Sequence, residues 1–259
     1  VKEEMSEIKK KYKDDRRSEV IATLEDMKKI GINAIFLETY FHGKTIFPSD
    51  TMDKYGFNRQ NQIFNTNDIL AYYVQEAHKR GIKVHVWFES FYVGNDNPLT
   101  TPNHILSVYP MWCNKRLMNY DSQVPVASLS EHNGYFLDPA NMQVQVFLLG
   151  LIDEIITNYN PDGINLDYIR YPQTVEPNFS NYTQMNWGYT KAARDEFYSI
   201  YGIDPFYFEN YDNIKVAVKD EKYNPKSKLQ LVYIIIIAIC IIAVLFNITY
   251  KSNILLYSL

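Results

Sequence analysis

Two short stretches set residues able to do chemistry inside otherwise apolar text. In "DGINLDYIRYP", Asp162 to Pro172, Asp167 and Arg170 interrupt a run of strand type. In "IKVHVWFE", Lys83, His85, Trp87 and Glu89 alternate with Ile82, Val84, Val86 and Phe88. Carboxylates near an imidazole and a cation are the groups that general acid–base catalysis uses. Successive side chains of a strand point to opposite faces. Lys83, His85, Trp87 and Glu89 therefore share one face, and Asp167 projects with Asn165 and Ile169, opposite Ile164, Leu166 and Tyr168. One face packs, and the other is free for acid chemistry.

The elements that must hold these residues repeat a single layout of amphipathic helix, glycine, then strand. Val20, Leu24 and Met27 form the stripe of the first helix, and Gly31 ends it. Leu70, Tyr73, Val74 and Ala77 form the second stripe, with Asn65 or Asn67 as cap and Lys79 and Arg80 before Gly81. In the third, Asp138 caps, Pro139 fits the first turn, and Val144, Leu148, Leu151 and Ile155 face a core. Alternating helix and strand predicts a parallel sheet with covering helices. An open doubly wound sheet buries both faces and gives strands that are apolar throughout. These strands are polar on one face and late in their length, as a (β/α)8 barrel wants at its carboxyl-end active site. Ile164 and Leu166 are expected to anchor the last strand against its helices, at about 1.5 to 3 kcal/mol each when fully buried.

Composition narrows the function classes. The chain is 46% hydrophobic and 15% aromatic, ample for a packed core, and its net charge of -4 argues against a phosphate-tracking surface. Nucleic acid is not an expected partner. Cys113 and Cys240 lie far apart and suggest neither a disulfide framework nor a thiolate metal site. No cluster has metal-ligand spacing, so no catalytic metal and no cofactor is expected. The chain opens at Val1 with a charged Lys/Glu stretch and shows no signal core of its own.

Taken in order, "GINAIFLETYFHGKTIFPSD", "EAHKRGIKVHVWFE", "YFLDPAN", "DGINLDYIRYP" and "GYTKAARDEFYSIYGIDP" resemble the glycosyl-hydrolase-like 10 family of bacterial (β/α)8 proteins. The resemblance runs from about Arg16 to Pro205. It implies a glycosidase-type barrel acting on bacterial glycan, with peptidoglycan strands as a substrate class. It also carries the family's fourth-strand acid over to Asp167, a position that echoes chitinase-like barrels.

Cleaving a glycosidic bond takes one carboxyl to protonate the leaving oxygen and a second to attack the sugar or activate water, at separations of ~5 to 9.5 Å. Asp167 is the first candidate, with Arg170 lowering its pKa, and Glu89 is the second. Glu38 ranks below them, because the register set by Gly31 points it with Ala34 and Phe36 toward the helices unless a bulge intervenes. Tyr40, His42, His85, Trp87, Arg170 and Tyr171 are expected to bind the sugar, where rings stack and imidazoles hydrogen-bond. Plainer readings stand beside these: Asp167 ion-paired with Arg170, Glu89 as a rim residue, His85 and Trp87 filling a barrel interior, His78 on a helix surface.

Length sets a limit. A full barrel takes roughly 250 residues, and the stretch from Gln173 to Lys228 is too short for four more βα units. The expected organisation is an incomplete barrel over 1–205, a polar linker over 206–228, an apolar helix over 229–250 and a short tail over 251–259. The run Leu231–Phe246 with its flanks approaches the ~20 residues that span a bilayer. It reads as a membrane anchor, as out-of-frame residues from a truncated or frameshifted gene, or as a buried core helix. Lys219, Lys222, Lys226 and Lys228 before it, against Lys251 after it, would leave the barrel cytoplasmic by the positive-inside tendency. The expectation is a membrane-associated protein of the bacterial envelope: a hydrolase, a tethered glycan-binding module without turnover, or an inactive fragment of a truncated or frameshifted gene.

Overall fold

The computed structural model describes residues 2–64, 67–173 and 186–207, with residues 2–15 as backbone alone. Val1–Ser199 forms one compact unit and Ile200–Leu259 a second. Within the first, helix α1 (Lys2–Lys29) leads into β1 (Ala34–Phe41), the two-residue strand β2 (Lys44–Thr45) and a short helix α2 (Asp50–Lys54). Helix α3 (Ile69–Lys79), β3 (Lys83–Glu89), the single turn α4 (Ile105–Val108), α5 (Met142–Tyr159) and β4 (Gly163–Asp167) follow, and α6 (Lys191–Tyr201) crosses into the second unit. The described part of that unit ends in a 3-10 turn at Pro205–Tyr207. The apolar tract at 229–250, the linker beyond 207 and the tail lie outside the described residues. Among the described residues no helix is long and apolar enough to cross a membrane.

The repeated layout forms as its punctuation dictates. Gly31 (φ +89°) and Gly81 (φ +66°) adopt the left-handed conformation that glycine takes without a Cβ penalty. At α1 the N–H groups of Gly31 and Ile32 return to Lys28 and Met27 carbonyls (3.1 and 3.0 Å). At α3 those of Gly81 and Ile82 return to His78 and Ala77 (3.0 and 2.9 Å). Both are Schellman endings, which satisfy carbonyls the helix leaves over. Asn160, at φ +49°, does the same work for α5. The caps differ from expectation. Asp68, not Asn67, caps α3 by accepting the Ala71 N–H at 2.9 Å, and Asn65 lies outside the described residues. Asn141, not Asp138, caps α5 through the Gln143 N–H at 2.9 Å. Asp138 is fully buried instead, where it accepts the Ala140 N–H (3.1 Å) and the Thr190 hydroxyl (2.5 Å).

The sheet runs β2-β1-β3-β4, with β1, β3 and β4 parallel and β2 folded back antiparallel on β1. Its helix-covered face is the core. Val84, Val86 and Phe88 pack there with Val20 and Leu24 of α1, Leu70, Val74 and Ala77 of α3, and Val144, Leu148, Leu151 and Ile155 of α5. Each fully buried aliphatic or aromatic residue of this set contributes about 1.5–3 kcal/mol. Leu166 departs from expectation, being 43% exposed on the outermost strand, while Ile164 is partly buried against the core. The chain is thus an α/β fold whose parallel strands bury one face and leave the other open.

At the amino ends of β3 and β4 the register is pinned by Asp162. Its Oδ2 accepts the Val84 N–H at 2.8 Å and meets His78 Nε2 at 2.9 Å, while its own N–H donates to the Val84 carbonyl at 2.9 Å. His78 is therefore a link from α3 to β4 rather than a free surface histidine.

Candidate active site

Register decides which acids meet. Pairing runs His85 with Gly163, Trp87 with Asn165 and Glu89 with Asp167, so the two candidate carboxylates stand opposite each other where their parallel strands end. Neighbouring strands lie about 4.8 Å apart. On the other side, Phe36 pairs with His85 and Glu38 with Trp87. Ala34, Phe36 and Glu38 do share a face, but it is the open one: Phe36 is 59% exposed and its ring stacks on His85 with centroids 5.1 Å apart. Glu38 consequently belongs with Glu89 and Asp167. The misleading signal was Phe36, an apolar residue on the polar face.

A bulge lies immediately beyond. The register shifts between Glu38 and Tyr40, leaving Thr39 as the extra residue. Tyr40 then pairs with Phe88 and stacks on it in the helix-side core (4.7 Å), fully buried. Tyr40 therefore does not line the open face, contrary to expectation. The bulge sets up a two-residue hairpin turn of His42 (φ +50°) and Gly43 (φ +71°), the left-handed pair of a type I′ turn. That turn aims the His42 N–H at Glu89 Oε2, 2.7 Å away.

Glu89 is only 6% exposed. Burial raises its carboxyl to about 7; the His42 N–H opposes this, and the charges of Glu38 and Asp167 add to it. Asp167 is half-buried and accepts two N–H groups, Trp87 Nε1 on Oδ2 at 3.0 Å and Tyr168 N on Oδ1 at 2.7 Å. One acid is thus buried and able to hold a proton near neutrality. The other is fixed in place by its two donors. That division suits general acid–base and nucleophilic chemistry.

Arg170 is not its counter-ion. The guanidinium pairs with Glu131, Nη1 to Oε1 at 2.7 Å and Nη2 to Oε2 at 3.4 Å, and lies over the Tyr168 ring at 4.8 Å. Tyr168, in the left-handed region at φ +48°, stacks on Tyr92 at 4.7 Å. Arg170 therefore makes its side-chain hydrogen bonds to Glu131 and acts on Asp167 only as a charge at longer range. Glu131 and Tyr92 gave no sequence signal, since both sit in the long loop between β3 and α5, where no periodicity marks them.

The remaining candidates divide. His85 and Trp87 lie half-buried on the open face, and Gly163 is required under His85, because a Cβ there would come within 2.6 Å of the ring. His42 stacks on Phe41 at 3.8 Å, and burial holds its pKa below the usual imidazole value. Tyr171 lies against Gly188, 43% exposed, with its pKa raised by burial and by the charges of Asp138 and Glu196. Cys113 is buried with its thiol pushed up to about 12, which rules it out as a thiolate nucleophile at neutral pH. Among the described residues no group of three or more His, Cys, Asp or Glu could hold a metal ion.

Parts of the chain are similar to known proteins. The chain is 26% identical over 167 residues to Glycosyl hydrolase DigH of Escherichia coli, covering 60% of this chain and 35% of that protein. It is 22% identical over 166 residues to Glycosyl hydrolase YngK of Bacillus subtilis, covering 62% and 29%. The chain thus spans about a third of the length of these curated relatives. Among solved structures, a hypothetical protein from Ruminiclostridium thermocellum superposes with a TM-score of 0.44 at 19% identity, covering 60% of this chain and 71% of that one. The maltogenic alpha-amylase AmyB of Thermotoga neapolitana gives 0.42 at 15% identity, over 61% and 36%. The strand ends that carry Glu89 and Asp167 fall inside a match to one family model that extends over residues 5–207, and by that match the chain belongs to the glycosyl hydrolase-like 10 family.

Proposed function

We propose that this chain contributes the first part of a (β/α)8 glycoside hydrolase, with Glu89 as general acid and Asp167 as the nucleophilic or charge-stabilising carboxylate. The observation that carries this reading is the opposed pair at the carboxyl ends of β3 and β4, one member buried with a pKa of about 7. Protonated Glu89 would deliver its proton to the leaving glycosidic oxygen while Asp167 meets the developing positive charge at the sugar carbon. Adjacent strands ~4.8 Å apart support the short carboxyl separation of retaining enzymes over the ~6.5–9.5 Å of inverting ones. Glu38 adds negative charge that helps keep Glu89 protonated. His42, His85, Trp87 and Tyr171 would contact sugar hydroxyls and ring faces.

Bacterial cell-wall glycan is the substrate class we propose, with the apolar tract at 229–250 holding the protein at the envelope membrane. Family membership supports a glycan substrate, and the tract's length and hydropathy support an anchor. Reducing-sugar release from peptidoglycan and other β-linked glycans tests the activity. Asp167→Asn should lower turnover at least ~10³-fold; a variant as active as the parent rejects the assignment. A second reading, a glycan-binding module without turnover, is favoured by the chain's covering only 35% of DigH and 29% of YngK. Oligosaccharide retained by the purified protein, with no cleavage product, would select it.

A further inference from the structure

The β1–β2 hairpin that holds Glu89 has a second side. Gly43 and Lys44, next in the chain after His42, line a cavity of about 230 Å³. Five of its lining residues are amides, Asn58, Gln60, Asn61, Gln62 and Asn103, and Thr101 adds a hydroxyl. Four of these amides are engaged within the fold: Gln60 Nε2 donates to the Asn67 carbonyl at 3.0 Å, Asn61 Oδ1 accepts the Ile63 N–H at 3.2 Å, and Asn103 Nδ2 donates to Asn58 Oδ1 at 3.5 Å. An amide both donates and accepts, so engaging one end leaves the capacity of the other.

The cavity is close to neutral. The Lys44 ammonium pairs with Asp96 Oδ2 at 3.3 Å. His104, 6% exposed, accepts the Leu106 N–H on Nδ1 at 3.0 Å, and burial lowers its pKa, which keeps the ring uncharged. A phosphate or carboxylate ligand would call for net positive charge. Paired donors and acceptors without charge instead match vicinal hydroxyls or an acetamido group. A cavity of about 230 Å³ can admit one sugar unit. Gly43 and Lys44 lie one and two residues from His42, roughly 4–7 Å along the backbone, so the cavity shares the hairpin whose turn donates to Glu89.

We infer that this cavity is a distal glycan subsite, holding one neutral hydroxyl- or acetamido-bearing sugar unit of a chain whose scissile bond lies at Glu89 and Asp167. Only the position of the scissile bond rests on the hydrolase reading; the binding does not. Calorimetric titration of the whole chain with β-linked tetrasaccharides of N-acetylglucosamine and of glucose tests it and separates the two ligand chemistries. Asn58 and Gln62 are exposed, so Asn58→Ala/Gln62→Ala removes their amides without opening the core. Asn103→Gly removes a third amide at φ +59°, a conformation glycine adopts freely. With Tm preserved, each variant should weaken the better tetrasaccharide at least ~10-fold, as one to two lost hydrogen bonds imply. Unchanged affinity in both amide variants, or no binding of either tetrasaccharide by the parent, overturns the subsite. Hydrolysis that needs Asp167 but ignores Asn58, Gln62 and Asn103 removes the subsite alone. Amide-dependent binding without hydrolysis leaves the subsite standing and removes the enzyme.

Discussion

The two ends of the β3–β4 pair use their carboxylates in opposite ways. At the amino end, the Val84 N–H and then His78 hold Asp162 below the usual carboxylate range. Its charge is compensated and contributes to folding. At the carboxyl end, burial raises Glu89 to about 7, so its ionisation opposes folding. The strands are the same and the residues are five positions or fewer apart in register. What differs is the supply of donors: two groups converge on one oxygen of Asp162, whereas Glu89 has the His42 N–H against burial and two like charges. A fold can place stabilising acids at one end of a sheet and reactive acids at the other, and barrel proteins divide their strands in this way.

The largest effect is expected from neutralising Glu89 at the carboxyl end. Glu89→Gln should reduce hydrolysis by ~10²–10⁴-fold, the usual worth of a general acid. The parent's rate should fall as pH rises through about 7, while the residual rate of the variant stays flat. A pH–rate profile of both proteins decides; an alkaline limb retained in the variant removes Glu89 from the role.

The same substitution should help folding. Because the folded-state pKa of Glu89 lies above its ordinary 4.5, stability is full below about 4.5 and declines as pH rises through about 7. Glu89→Gln escapes that loss and should be about 1–3 kcal/mol more stable than the parent at pH 8, with no gain at pH 4. Denaturant melts at both values measure it, and equal gains at both would refute the electrostatic origin.

At the other end, Asp162→Ala should cost about 1–2 kcal/mol, or ~2–8 °C in Tm, by orphaning the Val84 N–H and releasing His78. The lowered pKa of Asp162 makes its contribution present above about 3.8 and lost as pH falls below it, so the variant and parent should converge in acid. Turnover per folded molecule should be unchanged. The smallest effect is expected at Arg170, which hydrogen-bonds Glu131 rather than Asp167. Arg170→Ala should lower kcat by about tenfold with KM little changed, and a KM effect alone would make it a substrate contact instead of a positioning residue.

Much of this layout was legible in the chain itself. Helix stripes, the glycines after α1 and α3, and the alternation of β3 and β4 are set by local sterics, so counting residues placed Glu89 and Asp167 on one face. Even there the reading failed where local rules left a choice. Asp138 looks like a cap, yet Asn141 three residues later takes that role, because Asp138 is drawn to Thr190, fifty-two positions away.

What only the tertiary structure decided depends on partners distant in sequence. Phe36 is exposed because His85 supplies its stacking partner on the open face, and this carries Glu38 into the acid cluster. A single extra residue at Thr39 turned Tyr40 into the core and aimed the His42 N–H at Glu89. Arg170 chose Glu131 over Asp167, a pairing that spans thirty-nine positions. The pKa of Glu89 follows from burial, which only the assembled structure creates. Residue order therefore determined which acids share a face, through a period of two fixed by backbone geometry. Packing determined which acid holds a proton, because desolvation and long-range contacts have no local signature.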